Sequence, residues 1–182
     1  MGIRMPRSPT SAVLAGLVLL ALGGCAQQQP AVPALPPVAT PAPLTGDQNF
    51  VDRAALGTSS EVQLGRLART RALSPAVRSF AARIITDHRQ AHARLKMIER
   101  RLQMAPTTAP PPQSQLAARF GADFDRQFMA DQIQNHQEAI QLFQAEAQAG
   151  QDPRLRKYAS DNLPILYRDL QEAQAIAARL GG

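Results

Sequence analysis

The sequence predicts an all-α protein: a four-helix bundle, ferritin-like, built from two αα-hairpins joined by a long Pro-rich crossover. Three observations carry that expectation. Over residues 46–180, apolar side chains recur at alternating steps of three and four in four separate stretches. Within each half the stretches are separated by a few turn residues, whereas Met104 to Gly121, with Pro106 and Pro110 to Pro112, forms one long break between the halves. Aromatic residues are 4% of the chain and tryptophan is absent, which suits a core packed with Ala, Leu and Ile.

The first helix is expected from Thr45, where Gln48 three residues later completes a capping box, to about Arg71. Its stripe reads Phe50, Ala54, Gly57, Glu61, Leu64, Ala68. The second starts with Ser74 as N-cap and Pro75 at the first helical position, where a missing N–H costs nothing. Val77, Ala81, Ile84, His88, Ala91, Leu95, Ile98 and Leu102 form its stripe, which ends near Gln103. Gln115 to Phe120 suffices for one helical turn within the break. The third helix is expected from about Asp123 to Ala149, with Met129, Ile133, His136, Ile140, Phe143 and Ala147 in line. Asp152-Pro153 then repeats the cap-plus-proline start, and Leu155, Ala159, Asn162, Leu166, Asp169, Ala173, Ile176 and Leu180 continue it. Pro164 removes one backbone donor and predicts a kink. About seventeen extended residues reach roughly 50 Å, more than the ~42 Å of a 28-residue helix, so the break is long enough to cross the bundle.

The 182 residues divide into three parts. Residues 1–24 read as a lipoprotein signal peptide: Arg4 and Arg7 precede an apolar run from Ala12 to Leu22, too short to span a bilayer. Leu22-Gly23-Gly24-Cys25 resembles a bacterial lipobox, which makes Cys25, the sole cysteine, the expected lipidation site. Ala26, rather than aspartate, follows it; by resemblance to lipoproteins of double-membraned bacteria this favours the outer membrane, with the domain facing the periplasm. Residues 25–45 then hold the lipidated cysteine and a Gln-, Ala- and Pro-rich tether that cannot bury a core. Residues 46–180 hold the bundle. The net charge is +6, but basic residues are scattered with acids between them, which argues against nucleic acid as a partner. The expected partners are the membrane, through the anchor, and another envelope protein.

Each helix places one strongly polar residue in its apolar stripe: Glu61, His88, His136 and Asp169. Counted from the hairpin turns, all four fall near mid-length and can meet at one level. Two imidazoles and two carboxylates form a nitrogen and oxygen donor set suited to zinc, iron, manganese or copper(II). The alternative is a metal-free core network in which Glu61 pairs with His88 and the groups satisfy one another while fixing helix register. His92 shares a face with His88 but lies beside the stripe and is expected to be partly exposed. Asp87 is expected to pair with Arg83 one turn back, and Asp123 and Asp125 to serve the start of the third helix. No Gly-rich phosphate loop and no serine nucleophile motif occurs, so no catalytic residue is identified.

Phe50 to Ala68, Asp87-His88 with Ala91, Phe124 to Met129 with Asn135-His136, and Asp152-Pro153 through Leu163-Pro164 together resemble the bacterial domain-of-unknown-function family 4142. The resemblance spans roughly Asn49 to Ile176. It implies a ferritin-like bundle, often exported and often a lipoprotein, with no established activity. Two departures stand out: Asp169 occupies a position where the family commonly has histidine, and His92 one where it commonly has asparagine. Ferritin-like di-iron enzymes use Glu-x-x-His pairs, whereas Ile85 and Ile133 stand three residues before His88 and His136, which counts against a metallo-oxidase. The function expected is therefore a non-catalytic envelope lipoprotein that binds a transition metal in its core, or a purely structural or partner-binding module with a metal-free core.

Overall fold

The amphipathic stretches form four long helices. In the computed structural model, which describes residues 46–107 and 115–181, these are α1 (Gly46–Arg71), α2 (Pro75–Leu102), α3 (Gly121–Ala149) and α4 (Pro153–Gly181). A single 3-10 turn, Gln115–Ala118, lies in the long connection where one helical turn was expected. The leader, Cys25, the tether and the cap expected at Thr45 lie outside the described residues.

Two buried carboxylates show how the hairpins are arranged. Asp47, at the start of α1, accepts the backbone N–H groups of Gln151 and Asp152 in the α3–α4 turn, both at 2.8 Å. Asp125, at the start of α3, accepts those of Leu73 at 3.1 Å and Ser74 at 2.6 Å in the α1–α2 turn. The start of each hairpin therefore lies against the turn of the other, and the helices run up, down, down, up. In this order α1 packs on α2 and α3, while α4 packs on α3 and α2. The long connection must change ends. Its beginning is held low on α1, where Thr107 Oγ1 donates to Asp52 at 2.7 Å and Gln48 bonds Ala105; its end is held high, where Arg71 donates to Ala117 O. This is the ferritin-like crossover that the length of the break made feasible.

Local capping differs from expectation. Ser74 occupies the N-cap of α2 but makes no side-chain cap bond, because the Asp125 carboxylate takes that role from across the bundle. Asp125 thus serves the α1–α2 turn rather than its own helix start, and is only 2% exposed. Each turn is also closed by an arginine. Arg78 donates to the carbonyls of Ala72 and Leu73, and Arg156 to those of Gly150 and Gln151. The two hairpins are related by one step of 78 residues, which carries 47 to 125, 74 to 152 and 78 to 156. Under that step Ser74-Pro75-Ala76-Val77-Arg78-Ser79-Phe80-Ala81 lies over Asp152-Pro153-Arg154-Leu155-Arg156-Lys157-Tyr158-Ala159. The fold is a duplicated hairpin.

The core has two apolar clusters with a polar level between them. Near the α1–α2 turn, Phe80, Ile84, Phe124, Phe128 and Ile176 pack together; toward the other end, Phe50, Leu95, Phe143, Leu155 and Tyr158 do so. α4 is helical on both sides of Pro164, whose exposed position avoids burying the carbonyl it frees.

Two helical glycines in α1 should respond oppositely to alanine. A Cβ on Gly65 would stand 2.8 Å from Ile85 Cγ1 and 3.1 Å from the Ala81 carbonyl, whereas one on Gly57 would meet nothing within 4 Å. Gly65→Ala is expected to destabilise by about 1–2 kcal/mol through overpacking, and Gly57→Ala to stabilise by about 0.5–1 kcal/mol through helix propensity, both measured by urea unfolding.

Glu146 packs under the α3–α4 turn, where Gly150 leaves room for its carboxyl. Burial, reinforced by the carboxylates of Asp47 and Asp152 and opposed by Arg156, pushes its pKa from 4.5 up to about 7. The folded state therefore holds this proton more tightly than the unfolded state. The associated stability is fully present below about pH 4.5 and is lost as the pH rises through about 7. Glu146→Gln should match the wild type near pH 4 and exceed its urea midpoint increasingly toward pH 8; a constant difference across that range would contradict the assignment.

Candidate metal centre

Between the two apolar clusters, α2 delivers His88, α3 His136 and α4 Asp169, each from its predicted stripe position. They are 7%, 1% and 0% exposed, and one ligand atom from each lies within 4.8 Å of the other two. Three members of the expected quartet therefore converge. The His88 and His136 rings meet edge to face with centroids 5.7 Å apart.

The hydrogen bonds set the chemistry of these atoms. His136 Nδ1 lies 2.8 Å from the Gln132 carbonyl, which can only accept, so Nδ1 carries a proton and Nε2 is the ring nitrogen left to face the other ligands. Nε2 faces Asp169 Oδ2 at 4.0 Å, too far for a hydrogen bond. Both atoms, and both ring nitrogens of His88, are buried without a hydrogen-bond partner. Burial lowers the His88 pKa to about 4, with Glu61 acting against that shift and His136 adding to it, so the ring is neutral at pH 7. Burial also pushes the Asp169 carboxyl upward, opposed first by its hydrogen bonds from Arg168.

Arg168 positions Asp169. Its Nε and Nη2 reach Asp169 Oδ1 at 3.1 and 2.8 Å, leaving Oδ2 directed at the histidines. The same guanidinium grips Asp87 across the α2–α4 seam. Asp87 is thus bound by α4 rather than by Arg83, as its local spacing suggested; Arg83 itself pairs with Glu172 of α4. Tertiary packing outcompetes the helical neighbour because α2 and α4 lie antiparallel and in contact.

Glu61 departs from its expected partner. It is 5% exposed, but its two oxygens accept from Gln132 Nε2 at 2.7 Å and Asn135 Nδ2 at 2.9 Å, both on α3. Its carboxylate stands outside the three-residue group, near enough to His88 to act on its charge. His92 is partly exposed, as expected, and its Nδ1 meets Thr58 Oγ1 at 2.9 Å. Arg168, Gln132 and Asn135 were not singled out for the site in the sequence. The only available signals were the adjacency of Arg168 to Asp169 and the Gln132-Asn135-His136 spacing on one helix face.

Two imidazole nitrogens and a carboxylate oxygen suit a borderline divalent ion. At bond lengths of about 2.0–2.1 Å, tetrahedral neighbours lie about 3.4 Å apart and opposed ligands about 4.2 Å, so the set closes around an ion with side-chain shifts below about 1 Å each. A cavity of about 490 Å³ lined by all four helices lies beside the centre, with His88 and His136 but not Asp169 among its lining residues, and the ligand atoms themselves are closed to solvent.

Known proteins resemble the chain at the level of family and fold. The search of curated proteins finds no match. Among solved structures, CopM in its silver-bound form is similar over 75% of this chain and 98% of its own, with TM-score 0.66 and 20% identity. A DUF305 fragment from Deinococcus radiodurans covers 76% of this chain and 99% of its own at TM-score 0.66 and 18% identity. A DUF305 protein from Streptomyces coelicolor covers 78% and 97% at TM-score 0.67 and 12% identity. These likenesses concern the helical fold. A family model described as "Domain of unknown function (DUF4142)" matches residues 32–176, and the chain belongs to that family.

Proposed function

We propose that this protein is a lipid-anchored envelope protein whose bundle binds one divalent transition-metal ion through His88, His136 and Asp169. The observation that carries this reading is the convergence of three buried ligand atoms, none with a hydrogen-bond partner. A buried polar atom without a partner costs roughly 1–3 kcal/mol, and an ion satisfies all three together. Glu61 lies just outside them and contributes negative charge beside the site. Copper(II) and zinc suit two imidazoles and a carboxylate, whereas copper(I) and silver(I) favour sulfur, which this donor set lacks. Support from outside the chain is that CopM, a fold neighbour, is described in copper(II)-, copper(I)- and silver-bound forms.

The envelope location rests on the leader, the lipobox ending at Cys25 and the proline-rich tether. No helix among the described residues is long and apolar enough to cross a membrane, and the Streptomyces neighbour carries the word secreted in its name. A second reading, a metal-free structural or partner-binding module, is favoured by Arg168, which compensates the Asp169 charge without any ion.

The metal reading predicts about one copper(II) or zinc ion per full chain by elemental analysis after desalting. Uptake should be lost in His88→Ala/His136→Ala and weakened at least tenfold in Asp169→Asn. A companion measurement separates the readings. Without metal, His88→Leu should stabilise the bundle by about 1 kcal/mol, because it removes two unpartnered ring nitrogens; a loss of stability would favour the structural network. For the anchor, cells given labelled palmitate should incorporate label into the wild type and not into Cys25→Ser; equal labelling would exclude Cys25 as the lipid site.

A further inference from the structure

We propose that the end of the bundle formed by the α1–α2 turn and the start of α3 docks on an anionic phospholipid bilayer, through exposed Leu73 and Phe120 set among arginines. The contact is separate from the metal centre and from Cys25.

The fold gathers charge that the sequence disperses. Because the helices run up, down, down, up, the last two turns of α1 and α4 and the first two of α2 and α3 share one end. That end, with the 3-10 turn beside it, holds Arg66, Arg69, Arg71, Arg78, Arg119 and Arg179. One more arginine there, Arg126, is paired with Asp123, and Asp125 is buried on the amides of Leu73 and Ser74. Neither acid offsets the other arginines. The opposite end is mixed: Asp47, Asp52, Glu99, Glu146 and Asp152 stand among its basic residues.

Apolar side chains crown the same basic end. Leu73, in the α1–α2 turn, is 65% exposed and Phe120, immediately before α3, is 70% exposed, more than any other large apolar residue described. Two contacts join them into one surface. Asp125, five residues after Phe120, holds the Leu73 amide, and Arg71, two residues before Leu73, places its guanidinium 4.8 Å from the Phe120 ring centroid.

A bilayer surface answers both features. Leu and Phe gain by entering the boundary between headgroups and acyl chains, and each basic residue near an anionic leaflet strengthens binding about fivefold. Every basic residue at this end is arginine, whose planar fork matches a phosphate. A nucleic acid would use the charge, but Leu73 offers no stacking face and Arg71 already covers the Phe120 ring. Gly46, where the chain enters the bundle, lies at the far end of the 26-residue α1, about 39 Å away. The surface is therefore distinct from the one next to the expected lipid anchor.

The test uses the full chain carrying Cys25→Ser, which removes the sole cysteine, with Phe120→Cys added and labelled with a nitrobenzoxadiazole dye. Vesicles of phosphatidylglycerol and phosphatidylcholine in equal parts should shift the emission to the blue and brighten it, whereas pure phosphatidylcholine should not. Salt at about 0.5 M should largely reverse the shift. The same dye at Lys157→Cys, on the opposite end, should not respond. In the chain labelled at position 120, Leu73→Asp, and separately Arg69→Gln/Arg119→Gln, should raise the half-saturating lipid concentration at least tenfold. No shift at position 120, an equal shift with phosphatidylcholine, an equal shift at position 157, or unchanged lipid response in both variants would overturn the inference. A tighter response to a single-stranded oligonucleotide than to the anionic vesicles would also overturn it and assign the surface to nucleic acid. None of these outcomes bears on metal uptake.

Discussion

The arrangement depends on two carboxylates that reach out of their own hairpins. Asp47 and Asp125 each hold a pair of backbone N–H groups at the opposite turn, and each is at most 8% exposed. Apolar stripes alone tolerate helices sliding by a turn, because Leu, Ile and Ala present similar surfaces every three or four residues. A charge-assisted bond to two amides does not tolerate that slip. With both ends clamped, the level at which α2, α3 and α4 bring their polar residues together is no longer free.

That level is costly for a resting bundle. His88 has no hydrogen-bond partner on either nitrogen, and Asp169 Oδ2 faces His136 Nε2 at 4.0 Å, beyond hydrogen-bond reach. The surrounding structure nevertheless holds these groups in place. Arg168 takes only one oxygen of Asp169, and the Gln132 carbonyl fixes the ring of His136. Glu61 is treated differently, with an amide on each of its oxygens. The structure thus separates a satisfied carboxylate from three unsatisfied donors within one polar layer.

Much of the architecture was legible in the sequence because it follows from period and punctuation. Proline after Ser74 and Asp152 marks two helix starts, and the long break between Gln103 and Gly121 is recognisable from its prolines. His88, His136 and Asp169 stood out as polar residues in apolar stripes. What periodicity does not report is which neighbouring helix a stripe residue faces. Glu61 therefore went to Gln132 and Asn135 on α3 rather than to His88 on α2. The same limit applies to Asp87 and Asp125, whose local helical partners were plausible but whose bonds cross the bundle. The duplication was readable in the two Pro-containing octapeptides, but Glu61 and Ala139, or His88 and Leu166, have diverged too far in character to look like counterparts.

The duplication leaves the two halves of the bundle unlike at their centre. A perfectly repeated pair of hairpins would present the same surface to either side of its central axis. Here Thr58, Ala91, Ala139 and Leu166 occupy the positions that answer His136, Asp169, Glu61 and His88. Each hairpin keeps two ionisable residues where the other has a smaller or apolar one. Neither hairpin could supply the polar layer by pairing with a copy of itself, so the layer exists only where two unlike halves meet.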